Sequence, residues 1–221
     1  MFRWGVLFFS VAICWNVKAD INLTSLISNG MERWQAKIFS GHSTYTLNDD
    51  KGRLALKAIS HSSASGLVLE QRIDLVKTPY LNWSWLIKNK LLALDERSKS
   101  GDDFVARIYV VIDGGFMLWR TKSLNYVWSS NQDKGLIWDN PFAGSRVKMM
   151  SVQGKASNTG QWFEEKRNVY QDLIAAFGDK GRVEENQDAY RYIDVIAIMT
   201  DTDNSGKEAE SYYGDMVFSV Q

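Results

Sequence analysis

Gly101 to Gly115 reads GDDFVARIYVVIDGG. Every second residue from Phe104 is apolar: Phe104, Ala106, Ile108, Val110 and Ile112 fall on one face, Arg107 and Tyr109 on the other. A period of two over nine residues is a β-strand with one buried face. Asp113-Gly114-Gly115 is a hairpin-turn signal, so Met117 to Arg120 is expected to return beside it.

The same pattern continues outward. Leu81, Trp83, Trp85 and Ile87 alternate with Asn82 and Ser84. Ser43 to Leu47 and Arg53 to Ala58 flank the polar cluster Asn48 to Gly52 and read as a hairpin. Tyr126 to Ser129, Val147 to Val152, Trp162 to Arg167, Ile193 to Thr200 and Asp215 to Val220 add further strands. One clear helix interrupts them. Tyr170, Leu173, Ile174 and Phe177 have helical spacing, Asn168 suits the N-cap, and Gly178 suits the end. A short helix at Ile21 to Ser28 is a weaker signal. Lys88 to Gly101, KNKLLALDERSKSG, is expected to be a charged surface loop. Many strands with almost no βαβ alternation predict a mostly β fold, an antiparallel two-sheet sandwich of jelly-roll type.

The first nineteen residues differ in kind. Arg3 precedes an apolar run, and Val17-Lys18-Ala19 offers small residues where a signal peptidase reads. The run is too short for a stable ~30 Å membrane anchor. The expectation is a cleaved signal peptide over 1–19 and a single domain over 20–221, located in the periplasm or secreted. Cleavage removes Arg3, Lys18 and Cys14, leaving 24 basic against 26 acidic residues and no thiol. The core must then supply all the stability, without disulfides. A near-neutral chain without a basic block argues against nucleic acid, and no later stretch is apolar enough for a transmembrane helix.

GDDFVARIYVVI (101–112), NYVWS (125–129), WFEEKRNVYQDLIAAFG (162–178), IAIMTDTDNSG (196–206) and YYGDMVF (212–218), with LNWSWLI (81–87), give the chain a resemblance to the bacterial domain-of-unknown-function family 3047. The resemblance implies an exported protein of Gram-negative bacteria and implies no reaction. The element order is also similar to carbohydrate-binding sandwiches of the galactose-binding type. These often precede the last strand with an aromatic, a glycine and an aspartate, as Tyr213-Gly214-Asp215 does here. That likeness is one of fold and carries no site.

The two histidines, His42 and His61, sit in no metal-ligand or nucleophile spacing. There is no phosphate loop and no GxSxG elbow. Carboxylates remain: Asp102, Asp103, Glu164, Glu165, Asp172, Asp201, Asp203 and Asp215. A glycosidase would set two of them across a sugar; the plainer reading is that they cap turns and pair with Arg107 and Arg167. Asp201-Thr-Asp-Asn-Ser-Gly206 places oxygen ligands at loop positions 1, 3 and 5, but Tyr212 stands where an EF-hand needs glutamate. Two readings stand, a turn or a structural calcium site using Asp201, Asp203 and Asp215. Seven of the nine tryptophans lie beyond residue 19, as core packing or as faces on which sugars stack.

Arg107 must be paired or exposed, because burying it alone costs several kcal/mol. The expected ligand site is therefore Arg107, Tyr109 and Trp128, with Asp102 or Asp103 at its rim. Two function classes stay open: a non-catalytic domain binding a glycan or other polar envelope ligand, and a carboxylate-dependent glycan hydrolase or lyase.

Overall fold

A computed structural model describes residues 20–28, 30–50, 52–117 and 120–221. The expected signal peptide and Trp119 lie outside the described residues. Within them are fourteen strands and two α-helices. The strands are β1 (Ile21–Asn22), β2 (Gln35–Ser40), β3 (Thr44–Asp50), β4 (Arg53–His61), β5 (Ala64–Asp74), β6 (Tyr80–Ile87) and β7 (Ala106–Ile112). They continue with β8 (Lys122–Trp128), β9 (Ile137–Asn140), β10 (Gly144–Gln153), β11 (Phe163–Asn168), β12 (Tyr192–Asp201), β13 (Glu208–Tyr213) and β14 (Val217–Ser219). The helices are α1 (Val169–Phe177) and α2 (Val183–Tyr190).

Two seven-stranded sheets form the predicted sandwich. The first runs β1-β14-β6-β13-β4-β3, with β11 on the other edge of β6. The second runs β2-β5-β12-β7-β8-β10-β9. Pairing is antiparallel except between β8 and β10, which are parallel. The core lies where the alternating faces meet. Leu81, Trp83, Trp85 and Ile87 of β6 pack against Ala106, Ile108, Val110, Leu124, Tyr126 and Trp128 of β7 and β8. Trp83 stacks on Tyr126 at 5.4 Å, and Trp128 meets Trp85 at 5.7 Å and Phe163 at 5.0 Å.

Helix α1 forms as its spacing predicts. Asn168 accepts the Gln171 N–H at 3.0 Å, and Gly178 ends the helix at φ 92°. Val169, Leu173 and Ala176 are buried. Asp172 ties the helix to both sheets by accepting the Tyr126 hydroxyl (2.9 Å) of β8 and Arg167 Nε (2.8 Å) of β11.

Several local expectations change. The return strand after Ile112 begins at Lys122, not Met117. The Met117 N–H donates to the Gly114 carbonyl and the Arg120 N–H to that of Met117, both turn hydrogen bonds. Phe104 leaves the face of Ala106, because the chain bends at Val105, and joins Val127, Trp138 and Met149 instead. Residues 21–28 hold the short β1 and a 3₁₀ turn at Leu26–Ser28 rather than an α-helix. The segment Lys88 to Gly101 is charged but not simply a surface loop: Leu91 and Glu96 are buried. Glu96 accepts hydrogen bonds from Ser129 Oγ, the Ser130 N–H (2.8 Å) and the Asn131 N–H (3.2 Å).

Candidate functional site

Arg107 lies on β7 with its side chain on the outer face of the second sheet. Register places its neighbours. Met199 of β12 stands opposite Arg107, Ala197 opposite Tyr109, and Asn125 of β8 opposite Tyr109 on the other side. Paired residues share a face, so Arg107, Tyr109, Asn125, Met199 and, two residues on, Asp201 all point outward. With Asp102, Asn140, Phe142, Asp203, Asn204 and Phe39 they line a cleft of about 430 Å³.

The Arg107 guanidinium is 4% exposed and needs counter-charge. Its Nη2 donates to Asp201 Oδ2 at 2.7 Å and to the Asp102 carbonyl at 2.9 Å. Nη1 lies 3.8 Å from Asp102 Oδ2, which accepts Asn140 Nδ2 at 2.8 Å. The Phe104 ring covers the guanidinium at 4.5 Å. Asp103 accepts the N–H groups of Asn204 (3.2 Å) and Ser205 (2.6 Å), holding the DTDNSG turn against the strand start. Three buried polar atoms of this constellation have no protein partner: Asp102 Oδ1, an acceptor, Arg107 Nε, a donor, and Ser205 Oγ, which can do either.

The charges are unequal. Asp201 is pushed up to about 8, first by burial; Arg107 pulls it down, and Asp103 and Asp102 push it further up. Burial raises Asp102 too, against Arg107 and Asn140. Burial works against the charge of Arg107, but Asp201, Tyr109 and Asp102 more than offset it and raise its pKa. Asp102, Asp201 and Asp203 are all raised, first by burial and then by the neighbouring carboxylates that a single arginine does not offset.

The expected site is brought together in part. Asp102, Arg107 and Tyr109 line the cleft. Asp103 is 1% exposed and lies behind it rather than at its rim. Trp128 is on the opposite face: it pairs with Ala106, so its ring enters the core, and Val127 is the residue beside Arg107. Of the expected calcium ligands, Asp201 and Asp203 converge with Asp103, their oxygens lying within 4.8 Å of one another. Asp215 is elsewhere, because it accepts Thr24 Oγ1 (2.7 Å) and the Leu26 N–H (3.0 Å) and so holds the start of the domain. Trp34, Trp83, Trp85, Trp128 and Trp138 are buried as packing, and the exposed rings at the cleft are Phe39 and Phe142. Sequence reading missed Asn125, Asn140, Asn204 and both phenylalanines. Only the polarity of Asn125 within an apolar strand hinted at one of them.

No curated protein matches the chain. Among solved structures, it is similar to the xyloglucanase domain of NopAA, a type three effector from Sinorhizobium fredii, in complex with cellobiose. That match has 9% identity and TM-score 0.45, covering 84% of this chain and 92% of that one. A Cel12A cellulase derived from Rhodothermus marinus gives 8% identity and TM-score 0.43, covering 90% and 99%. Trichoderma harzianum endoglucanase 3 gives 10% identity and TM-score 0.38, covering 83% and 97%. The profile of one protein family matches residues 32–217. The chain therefore belongs to that family, described as protein of unknown function DUF3047.

Proposed function

We propose that the protein is a non-catalytic binding domain of the periplasm and that the Arg107 cleft takes a glycan or a similarly polyhydroxylated ligand. The observation that carries this reading is the unpartnered pair, Asp102 Oδ1 and Arg107 Nε. An unmet buried acceptor and donor each cost about 1–3 kcal/mol. A hydroxyl both donates and accepts, so a polyhydroxylated ligand suits a cleft lined by amides and carboxylates together, Asn125, Asn140, Asn204, Asp102 and Asp203. Phe39 and Phe142, both exposed, give apolar surface on which the C–H face of a sugar ring can rest.

Hydrolysis is less well served. An acid and a base must stand about 5–9.5 Å apart across the sugar. Here Asp201 is engaged by Arg107 and Asp103 by the DTDNSG turn, so neither is free to act as the acid or the base. Calcium is no part of this reading. Asp103 spends both oxygens on the DTDNSG turn, and the guanidinium already supplies positive charge to Asp201.

The test is a thermal-shift and calorimetric screen of the purified protein against soluble oligosaccharides. A ligand that binds only the folded state raises the midpoint. Phe142→Ala, at an exposed position, is expected to keep the fold and weaken binding about tenfold, or about 1.4 kcal/mol. If no oligosaccharide shifts the midpoint, the reading fails. Release of new reducing ends would transfer the cleft to the hydrolase class.

A further inference from the structure

A second recess lies on the other face of the second sheet, at the opposite end of β7. Lys122 begins β8, opposite Ile112, while Arg107 is near the start of β7. Five residues of strand separate the two positions, about 17 Å. Lys122 shares the inward face with Leu124 and Tyr126, both fully buried. On the parallel neighbour β10, Lys148 stands beside Leu124, and Arg146 comes one residue before the Val147–Ser123 pair, beside Lys122. Three cations from adjacent strands thus face inward. At this end the last turn of α1, Ala176-Phe177-Gly178, forms the other wall. The space between, with Ser145 at its edge, is about 370 Å³.

The charge there is poorly matched. Lys148 is paired with Asp139. Among the described residues, no carboxylate forms an ion pair with Lys122, Arg146 or Lys180. Asp179, next to Lys180, is turned to the Gly181 N–H (2.7 Å) and Asn186 Nδ2 (2.8 Å). Lys122 has only aromatic faces, Tyr190 at 5.1 Å and Phe177 at 5.5 Å, and its pKa is lowered by burial and by Lys180. The C-terminus of α1 offers about half a negative charge. Of the three cations that line the recess only Lys148 has a carboxylate partner, so even with the half charge of the helix terminus a positive excess faces the open recess.

We propose that this recess binds a phosphoryl group, with Arg146 and Lys122 as its charged donors and Lys148 and the Ser145 hydroxyl at its edge. The guanidinium plane of arginine suits two phosphate oxygens at once, and lysine adds a point charge. The phosphoryl group belongs to a small soluble ester or to a lipid headgroup, and the experiment separates the two.

Inorganic phosphate is titrated calorimetrically into the purified protein at pH 7 and constant ionic strength, with chloride as the balancing anion. Saturable one-to-one binding is expected. Arg146→Ala, at an exposed position, and Lys122→Met, which keeps the apolar stem, should each weaken it at least tenfold. Asn204→Ala, in the other cleft, should leave it unchanged. In parallel, the protein is sedimented with vesicles of phosphatidylglycerol and of phosphatidylcholine. Retention on the anionic vesicles that Arg146→Ala abolishes assigns the headgroup; phosphate binding without retention assigns a soluble ester. The inference is overturned if neither phosphate nor anionic vesicles bind, or if both variants bind as the wild type does.

Discussion

At the scale of single residues, the fold controls the protonation of Asp201. Its ordinary value of 3.8 rises to about 8 because burial outweighs the attraction of Arg107. The folded state therefore holds a proton that the unfolded chain has released across that window. The stability this proton contributes is complete below about 3.8 and is lost as pH rises through about 8. Asn at this position is uncharged at every pH. The melting midpoint of wild type minus that of Asp201→Asn should fall steadily between pH 4 and pH 8.5. Parallel thermal melts check it, and a difference that stays flat would mean that Asp201 is ionised throughout. Alternation alone put Arg107 and Tyr109 on one face, and the polar Asp201–Gly206 run was visible as an oxygen-rich turn. That the turn meets Arg107 was not visible, because Asp201 and Arg107 lie 94 residues apart in the chain.

At the scale of elements, the segment before β7 shows how a loop delivers a site. Glu96 is fully buried, and four donors from Ser129, Ser130 and Asn131 converge on its carboxylate. Asn131 Nδ2 also donates to the Leu91 carbonyl at 2.8 Å, so this loop is bound to the end of β8. The anchored loop leads directly to Asp102 and Asp103. Glu96→Ala leaves several buried donors unmet, and a loss of about 3 kcal/mol is expected. Urea unfolding measures it; a stability equal to wild type would mean that the loop does not depend on Glu96. In the sequence this carboxylate was one charge among many in KNKLLALDERSKSG. Nothing local marked it for burial, since its partners come from another part of the chain. The strand β5 escaped for a related reason. Its partners β2 and β12 supply its order, while in ASGLVLEQRID the polar Gln71 interrupts the alternation of Leu67, Leu69 and Ile73.

At the scale of the whole molecule, one large apolar cluster joins both sheets and α1. Unfolding should therefore be a single transition, with tryptophan fluorescence and far-UV circular dichroism coinciding. Trp128 fills the middle of that cluster against Trp85 and Phe163. Trp128→Ala should cost about 3–5 kcal/mol while leaving the affinity of the folded fraction for a cleft ligand unchanged. Calorimetry below the melting range distinguishes this from a direct role, in which affinity falls as well. Separate transitions by the two probes would divide the core into independent parts.

The fold class, the position of α1 and the outward direction of Arg107 and Tyr109 were legible from the residues alone. Each of these is local: period two, period 3.6, and a capping asparagine followed by a terminal glycine. The parallel pairing of β10 with β8, the inward turn of Trp128, the burial of Glu96 and the meeting of Asp102, Arg107 and Asp201 were decided by the tertiary structure. All four depend on which strands become neighbours and in what register. A shift of one residue in register would exchange Trp128 and Val127 between core and cleft. That choice rests on long-range packing of the two sheets, which no window of the sequence contains.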